Sequence, residues 1–464
     1  MRIGVPLFAP AALSRTLAWR NGQPVTVARF VAQAAALAER LPADGQPVNL
    51  CTDRYLFLVG FVAGLMRGQM SLLPPNAMPQ TLRQVAQPGA TPYALVDDAQ
   101  QDTGGLRTIA LSHDEAPAPC ADAATHVPTI DPELWSACLL TSGSTGVPQP
   151  QRRRWRALTL SIEAECASLA HLLGWASIDG LNIVATVPAQ HSYGFESSVL
   201  LALLGGAAFD AGRPFYPADI AEALARLPRP RALVTTPVHL KALLGSGVAL
   251  PAVDLILSAT APLSPQMAQQ AEALLGGRML EIYGCTEAGQ VAARRTTAGE
   301  VWTTLGDLRL HAESTADGER FIVSGGHVLQ PTPLADLLEL VDAQRFRLLG
   351  RANDLIHVAG KRSSLSHLNF HLNRIPGVDD GAFWLPDDVP EGVVRLVAFV
   401  VAPTLNARQI SAALRREVES AFVPRRVVHV DQLPREATGK LTTQRLREFA
   451  LQTLAPLDTG DKDR

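Results

Sequence analysis

The sequence predicts an α/β protein whose large N-terminal domain holds mostly parallel strands flanked by helices. Segments with apolar residues at helical spacing alternate with short apolar runs, as in Thr26–Leu41 followed by PVNLC and in SPQMAQQAEALLGG followed by RMLEIYG. The pairs LFLVGFVAGLMRG/QMSLLPP and DIAEALARLPRP/RALVTTP repeat this order. Because the apolar runs are short and continuous, they are typical of parallel strands buried on both faces.

The pattern of apolar and polar residues changes after residue 310. The stretches ERFIVSG, LLELVD and RFRLLG alternate apolar and polar residues, which predicts a small antiparallel or barrel-like part. A smaller α+β unit follows, with the strand VRLVAFVVAP and the helix NARQISAALRREVESAF. We therefore expect one domain over residues 1–351 and a second over residues 352–464, joined near Arg351–Asp354.

Composition excludes several classes of partner. The net charge of −3 over 464 residues gives no electrostatic reason to bind nucleic acid or an anionic membrane. The longest apolar runs are shorter than the ~20 residues that a membrane span needs. The five cysteines are scattered, with no C-x-x-C pair, which argues against a disulfide framework. The sequence thus predicts a cytoplasmic protein with no membrane span and no nucleic-acid partner.

The stretch TSGSTGVPQ, which begins at Thr141, follows an apolar strand and resembles a phosphate-holding loop. Backbone N–H groups at glycines, together with hydroxyls, can form a concave nest for phosphate oxygens. The stretch is not a P-loop, since Gln149 stands where a lysine is expected. Taken alone, a loop of serine and glycine is more often a plain turn.

Four further stretches contain residues suited to nucleotide or acid chemistry. They are EIYGCTEAG with Thr286 and Glu287, the pair Asp336 and Arg351, the turn ATGK with Lys440, and PAQHSYG with His191. A hydroxyl and a carboxylate suit phosphate-bound Mg²⁺. Each stretch alone has a structural explanation, such as a solvated glutamate, a surface hairpin pair, an exposed lysine or a structural histidine.

The order of these stretches resembles that of the core motifs of the adenylate-forming superfamily. That superfamily includes acyl- and aryl-CoA ligases, luciferases and the adenylation domains of peptide synthetases. TSGSTGVPQ, PAQHSYG, LSATAPL, YGCTE, Asp336, GRANDLIHVAGKR and LPREATGK occur in register over nearly the whole chain. The resemblance implies a small mobile C-terminal lid, ATP and Mg²⁺ as cofactors, and a two-step reaction. A carboxylate attacks the α-phosphate of ATP, and a thiol then takes the acyl group.

The resemblance also implies roles for individual residues. The nucleotide site would comprise Thr141, Ser142, Gly143, Ser144, Thr145, Gly146, Ala259, Thr260, Ala261, Glu281, Ile282, Tyr283, Gly284, Cys285, Asp336 and Arg351. The acid site would comprise His191, Tyr193, Gly194, Phe195, Ser258 and Gly284. The catalytic residues would be Lys440, His191, Thr286 and Glu287, and the metal would be held by Glu287 and Thr145.

Two positions depart from the superfamily pattern. Gln149 replaces the lysine of the phosphate loop, and Asn353 replaces the Asp or Lys that is usual at the hinge. Because Lys440 is present, we expect activity to survive, with weaker ATP binding. The alternative is a degenerate nucleotide-binding protein without catalysis.

The stretch HSYG favours an aryl acid, such as a hydroxybenzoate or a hydroxycinnamate, because it resembles the coumarate-type ligases. Tyr193 would then hydrogen-bond a phenolic hydroxyl, and a fatty acid is the second candidate. The acceptor is either CoA or the phosphopantetheine of an acyl carrier protein, since both present the same thiol. The arginines at 152, 153, 154 and 156 are equally consistent with a carrier-protein contact and with a solvated basic surface.

Overall fold

The chain is described here by a computed structural model. The structure describes residues 4–8, 10–74, 76–78, 81–82, 91–113, 127–142, 148–315, 318–351, 355–358, 361–386, 396–435 and 441–454.

Strands make up much of the described chain. In chain order they are β1 Val5–Pro6, β2 Thr16–Arg20, β3 Gln23–Thr26, β4 Gln46–Asn49, β5 Ser71–Leu73, β6 Pro92–Val96, β7 Arg107–Ala110, β8 Thr129–Ile130, β9 Trp135–Ser142, β10 Pro148–Arg154, β11 Asn182–Ala185, β12 Ala208–Asp210, β13 Arg231–Thr235, β14 Leu255–Ser258, β15 Arg278–Cys285, β16 Gly289–Arg295, β17 Val301–Thr304, β18 Arg309–Thr315, β19 Gly318–Gly325, β20 Val328–Leu334, β21 Asp336–Leu340, β22 Arg345–Arg351, β23 Leu355–Val358, β24 Lys361–Ser364, β25 Asp380–Trp384, β26 Val397–Val401 and β27 Arg426–His429.

Helices alternate with these strands. In chain order they are α1 Val27–Arg40, α2 Arg54–Met66, α3 Trp155–Leu173, α4 Ser192–Gly194, α5 Leu201–Gly205, α6 Pro217–Arg226, α7 Pro237–Leu244, α8 Pro265–Leu275, α9 Leu365–Asn373, α10 Ala407–Glu417 and α11 Thr443–Leu454. A π-helical segment, Phe195–Leu200, joins α4 to α5.

Two mixed sheets form the N-terminal part. One has the strand order β10-β9-β5-β4-β6-β7, and the other has the order β21-β22-β17-β16-β15-β14-β13-β11-β12-β2-β3. Strands β12, β11, β13, β14 and β15 are parallel neighbours, as the alternation of helices and apolar runs predicts. One continuous apolar core joins α1 and α2 to the residues of β15 and β16 and to Phe346.

Local sequence fixes the helix ends. Thr26 caps α1 by accepting from the Arg29 N–H at 3.3 Å, and Asp53 caps α2 by accepting from the Leu56 N–H at 2.9 Å. Ser264 caps α8, whose first residue is Pro265. The predicted helices α1, α2, α6 and α8 are therefore confirmed within a few residues.

The alternating strands after residue 310 divide between two sheets. β18, β19 and β20 form a separate antiparallel sheet, whereas β21 and β22 extend the edge of the eleven-stranded sheet. The barrel-like part is thus smaller than the sequence suggested, because β22 pairs with β17 some forty residues earlier in the chain.

The C-terminal part contains the sheet β25-β26-β27 packed with α9, α10 and α11. It contacts the N-terminal part through Lys241, which donates to the Asp379 carbonyl, and through an ion pair of 3.1 Å between Arg374 and Glu300. Within the described residues, no helix combines the length and the apolar character needed to cross a membrane.

Candidate active site

The carboxyl ends of β13, β14 and β15 meet at one edge of the large sheet. Their parallel register places Ser258 beside Glu281 and continues into the turns that follow each strand. Ligands of parallel sheets bind at such an edge. In the turn after β14, Ala259 is buried and Thr260 is exposed, and the backbone of Thr260 has a φ of 78°. A non-glycine residue in the left-handed region is uncommon and is often found at ligand sites.

The turn between β15 and β16 presents Glu287 to solvent and leaves Thr286 half-buried. Arg153, on β10 of the other sheet, donates to the Thr286 carbonyl and so fixes this turn from the opposite side. Carboxylate and hydroxyl oxygens are hard ligands, and an exposed Glu287 fits a phosphate-bound Mg²⁺. Thr145, the other predicted metal ligand, lies outside the described residues.

Tyr283, Asp336 and Arg351 come together although they are far apart in sequence. The Tyr283 hydroxyl donates to Asp336 Oδ2 at 2.8 Å, and the register of β21 and β22 pairs Asp336 with Arg351. The Tyr283 ring packs against Trp302 in a tilted arrangement and against Phe346 edge-on, with ring centroids 5.8 and 5.6 Å away. A fixed aromatic ring beside a carboxylate suits a nucleoside, whose base stacks while its ribose hydroxyls donate.

The predicted phosphate loop differs from its expected start. Thr141 and Ser142 belong to β9 and pair with Gln149 and Pro148 of β10 in an antiparallel hairpin. The sequence interpretation placed both residues in the loop because hairpin pairing cannot be read from a Ser/Gly-rich stretch. The predicted residues Gly143, Ser144, Thr145 and Gly146 lie outside the described residues, as do Asn353 and Lys440.

The acid-site stretch begins the helical segment α4. His191 precedes α4 as its N-cap residue, and Tyr193 and Gly194 are buried within it. A Cβ atom at Gly194 would lie 2.0 Å from the Pro188 carbonyl oxygen, so this position accepts no side chain. π-helical segments such as Phe195–Leu200 occur frequently at functional sites.

Two of the predicted acid-site side chains, Tyr193 and Phe195, have contacts within the protein. The Tyr193 hydroxyl, expected to meet a phenol of the substrate, donates its proton to the Leu257 carbonyl at 2.8 Å. It can therefore meet a substrate hydroxyl only as an acceptor. Phe195 is fully buried, and its ring packs against Phe61 at 5.0 Å and Phe57 at 6.1 Å. Its side chain therefore belongs to the apolar core behind the predicted acid site.

The side chain of Glu281, which was predicted to be part of the nucleotide site, has partners within the protein. Its buried carboxylate accepts from Arg294 Nε and from the Thr296 hydroxyl, both at 2.7 Å. Burial raises the pKa of Glu281, and the charge of Arg294 acts against that rise. The side chain thus stabilises the β15–β16 hairpin. Of its neighbours, Ile282 is buried, Gly284 is exposed, and burial raises the pKa of the Cys285 thiol to about 12.

Two arginines that position the site were not singled out by sequence. Arg54 is fully buried and donates to Ser198 Oγ at 2.6 Å and to the Val187 carbonyl at 2.8 Å, so it ties α2 to the π-helical segment. Arg153 was counted only as part of a basic run. Arg54 could have been recognised from its place at the start of an otherwise apolar helix. A charge in such a buried position needs fixed hydrogen-bond partners.

The basic run on β10 and α3 does not form one solvated surface. Arg153 faces Thr286, and Arg154 lies 4.3 Å above the Trp135 ring and 3.1 Å from Glu133. Arg152 and Arg156 are exposed.

Comparison with known proteins assigns both parts of the chain. A family model described as "AMP-binding enzyme" matches residues 13–340, and one described as "AMP-binding enzyme C-terminal domain" matches residues 371–440. The 4-coumarate–CoA ligase of Rhodobacter capsulatus is 33% identical over 298 residues, which cover 64% of this chain and 71% of that protein. The enzyme of the same name from Halorhodospira halophila is 34% identical over 317 residues, covering 65% and 73%.

The fold of the chain also matches that of proteins with solved structures. The crystal structure of ATP-bound MatB from Rhodopseudomonas palustris matches with a TM-score of 0.78 at 20% identity, covering 97% of this chain and 99% of that one. At this identity the match describes the fold alone.

Proposed function

Because the chain belongs to the family of AMP-binding enzymes, we propose that the carboxylic acid it activates is an aryl acid. The chain is an AMP-forming ligase, which joins an acid to a thiol in two steps at the cost of ATP. The observation that carries the proposal is the convergence of Glu287, Thr286, Tyr283 and Asp336 at one sheet edge beside Tyr193. Two relatives that are named as 4-coumarate–CoA ligases support an aromatic acid.

In the first step, a carboxylate oxygen attacks the α-phosphorus of ATP. A new P–O bond forms, the bond to the β-phosphate oxygen breaks, and pyrophosphate leaves. We assign Tyr283 to adenine, Asp336 and Arg351 to the ribose hydroxyls, and the stretch from Thr141 to Gly146 to the β- and γ-phosphates. The backbone of Ala259–Ala261 would read the edge of the base.

Two anions meet in this step, so the site must supply positive charge and hydrogen-bond donors. Lys440 would bridge the carboxylate and an α-phosphate oxygen, and the Thr286 hydroxyl would donate to the same phosphate. When bound, Mg²⁺ would neutralise phosphate charge, and Glu287 would hold it. His191 would lie beside the acid carboxylate.

In the second step, a thiolate attacks the acyl carbon of the adenylate, and AMP leaves with the bonding electrons. The acceptor is the pantetheine thiol of CoA or of an acyl carrier protein. We further propose that residues 352–464 act as a lid that turns about Arg351–Asp354 between the steps, over a main domain of residues 1–351. Lids that complete an active site generally move in this way. Cytoplasmic location stays a prediction from cysteine usage.

A product-mass experiment tests the proposal. The full-length protein is incubated with ATP, Mg²⁺, a panel of benzoates, cinnamates and fatty acids, and either CoA or a phosphopantetheinylated carrier protein. We expect an aryl thioester on one acceptor. A thioester formed only with fatty acids would overturn the choice of acid, and ATP binding without any product would favour the degenerate nucleotide-binding alternative.

A further inference from the structure

Glu196 is a buried carboxylate in the π-helical segment that follows the acid-site stretch. Its side chain is 2% exposed, and a charge removed from water needs hydrogen-bond partners or an opposite charge. One oxygen, Oε1, accepts from the Ser192 hydroxyl at 2.6 Å, and the other, Oε2, accepts from the Ser161 hydroxyl of α3 at 3.4 Å. The first distance is that of a strong charge-assisted bond, whereas the second is long. Glu196 is therefore held most firmly from the side of the acid-site stretch.

The bond from Ser192 fixes the helical turn that carries His191. Ser192 is the first residue of α4, and His191 is its N-cap residue. The His191 carbonyl accepts from the Phe195 N–H at 2.7 Å, and the His191 N–H donates to the Pro188 carbonyl at 3.3 Å. Because Glu196 follows Ser192 by four residues, the bond between their side chains spans this same turn. A change at Glu196 is thus transmitted to the residue next to His191.

On its other side, Glu196 approaches the guanidinium group of Arg153. The two groups meet at Gly289, whose backbone has a φ of 81°. The position that a Cβ atom of Gly289 would take lies 3.3 Å from Arg153 Nη2 and 3.5 Å from Glu196 Oε2. A side chain here would contact both groups, and the left-handed backbone also favours glycine. Glycine thus lets the carboxylate and the guanidinium share one small space.

That space is a small cavity next to the turn that carries Thr286. Its lining includes Arg153, Ser161, Glu196, Gly289 and His327. Burial, with a smaller contribution from the charge of Arg153, lowers the pKa of His327 to about 4, so its ring is neutral. Of the lining residues that the structure describes, Arg153 then supplies the positive charge beside Glu196.

The guanidinium of Arg153 also reaches the phosphate side of the site. Its Nη2 donates to the Thr286 carbonyl, and Arg153 itself lies on β10, the strand that follows the predicted phosphate stretch. A chain of polar contacts therefore runs from Ser192 through Glu196 and Arg153 to Thr286. Reacting groups must be held near their productive geometry, and a misplacement of about 1 Å can cost about 10²-fold in rate.

We propose that Glu196 is a positioning residue that couples the helical turn of His191 to the turn of Thr286. Ser192 makes the connection on one side, and Arg153 makes it on the other. The carboxylate acts through these two residues and not on the substrates themselves. It fixes the place where the acid carboxylate is held relative to the place where the α-phosphate is held. The inference rests on the proposed function, because it assumes that His191 and Thr286 serve one reaction.

A double-mutant cycle tests the coupling. Ser192→Ala removes the first contact, Arg153→Met removes the second, and the double variant removes both. ATP affinity by titration calorimetry and acid-dependent ATP–pyrophosphate exchange are measured for wild type and for the three variants. Contacts that share a partner are not additive, so the double variant should lose at least about fivefold less than the product of the two single losses, in ATP affinity and in kcat/KM alike.

The cycle is then repeated in the Glu196→Gln background. This change keeps the volume of the side chain and an oxygen for Ser192, and it removes the charge that faces Arg153. The two losses should now multiply to within about twofold, as they do for independent sites. Glu196→Leu, which removes both contacts, gives a second reading if Glu196→Gln does not fold, and melting temperatures identify any variant that is unfolded.

The matched control is Glu165→Gln. Glu165, on α3, is also a fully buried glutamate, but it faces Ser197 and Gln290. The non-additivity between Ser192→Ala and Arg153→Met should persist in this background. That result separates the role proposed for Glu196 from a general effect of losing a buried carboxylate.

Losses that multiply in the wild-type background, or non-additivity that survives Glu196→Gln, would overturn the inference and leave the proposed function standing as long as an acid stimulates exchange. If ATP binds but no acid supports exchange, the proposed function fails and the calorimetric cycle alone decides the inference. A wild-type protein that binds no ATP would contradict both.

Discussion

Arg153 shows how one side chain can link the two sheets of the N-terminal part. It originates on β10, beside the predicted phosphate loop, and reaches the carbonyl of Thr286 on the other sheet. Replacement by methionine keeps an unbranched apolar chain in place of the arginine stem and removes that bond. Hydrogen bonds from charged groups contribute about 1.5–3 kcal/mol, so we expect kcat/KM for ATP to fall between about tenfold and a hundredfold.

The control for Arg153→Met is Arg156→Met, since Arg156 is exposed and lies 4.0 Å from Glu133. Exchange rates over a range of ATP concentrations separate the two variants. An equal loss in both, or no loss in Arg153→Met, would show that Arg153 does not position the Thr286 turn.

The buried carboxyl group of Glu165 should also make the free energy of unfolding depend on pH. Burial raises its pKa from an ordinary 4.5 to about 8, so between these values the folded protein holds a proton that the unfolded chain releases. The contribution to the free energy of unfolding is therefore complete below pH 4.5 and is lost as pH rises towards 8.

His327 has the opposite effect at lower pH, because burial lowers its pKa from 6.5 to about 4 and its contribution grows as pH rises to 6.5. Melting temperatures above pH 6.5 therefore isolate Glu165. From there to pH 8, wild type should lose more stability than Glu165→Gln. An identical loss in both proteins would mean that Glu165 is ionised throughout this range.

At the scale of secondary-structure elements, α2 and the π-helical segment are coupled through Arg54. Its guanidinium donates to Ser198 Oγ and to the carbonyls of Ala185 and Val187. Arg54→Met leaves these buried acceptors without a donor, and we expect a loss on the order of 3 kcal/mol in the free energy of unfolding. Arg67→Met, at the exposed end of the same helix, should cost less than about 0.5 kcal/mol in a urea titration. Similar losses in both variants would contradict this account.

The exposed arginines of the basic run belong to the β10–α3 connection. Reversing both charges, Arg152→Glu with Arg156→Glu, should slow acyl transfer to a carrier protein and leave ATP–pyrophosphate exchange unchanged. Exposed charges act mainly on the association rate, so the difference should shrink at high salt. If exchange falls together with loading, the variant has damaged the site and the docking idea fails.

The sequence predicted correctly those helices and strands that are determined by neighbouring residues. α1 and α8 carry their own caps and periodicity, and β13 and β15 are short apolar runs between helices. Sequence did not predict contacts made by distant partners. Arg294, which donates a hydrogen bond to Glu281, lies on the opposite strand of a hairpin. The Leu257 carbonyl, which accepts a hydrogen bond from Tyr193, is 64 residues away in sequence. The start of the phosphate loop was misplaced for the same reason, since pairing with Gln149 draws Thr141 into a strand.

At the scale of the whole molecule, the order of motifs was more informative than any one of them. Thr286, Tyr283 and Asp336 each have a plain structural explanation alone, yet the fold brings their strands to one edge. The C-terminal part contacts the large sheet domain through the ion pair of Arg374 with Glu300 and through the bond from Lys241 to the Asp379 carbonyl. Such polar contacts are weak, which is compatible with a lid that changes position.

The most direct test of the account is acid-dependent ATP–pyrophosphate exchange in wild type and in Lys440→Ala. An aryl acid should stimulate exchange in wild type, and Lys440→Ala should lose about 10²–10³-fold of that exchange while keeping its melting temperature. Exchange that no acid stimulates, or that persists unchanged without Lys440, would contradict it.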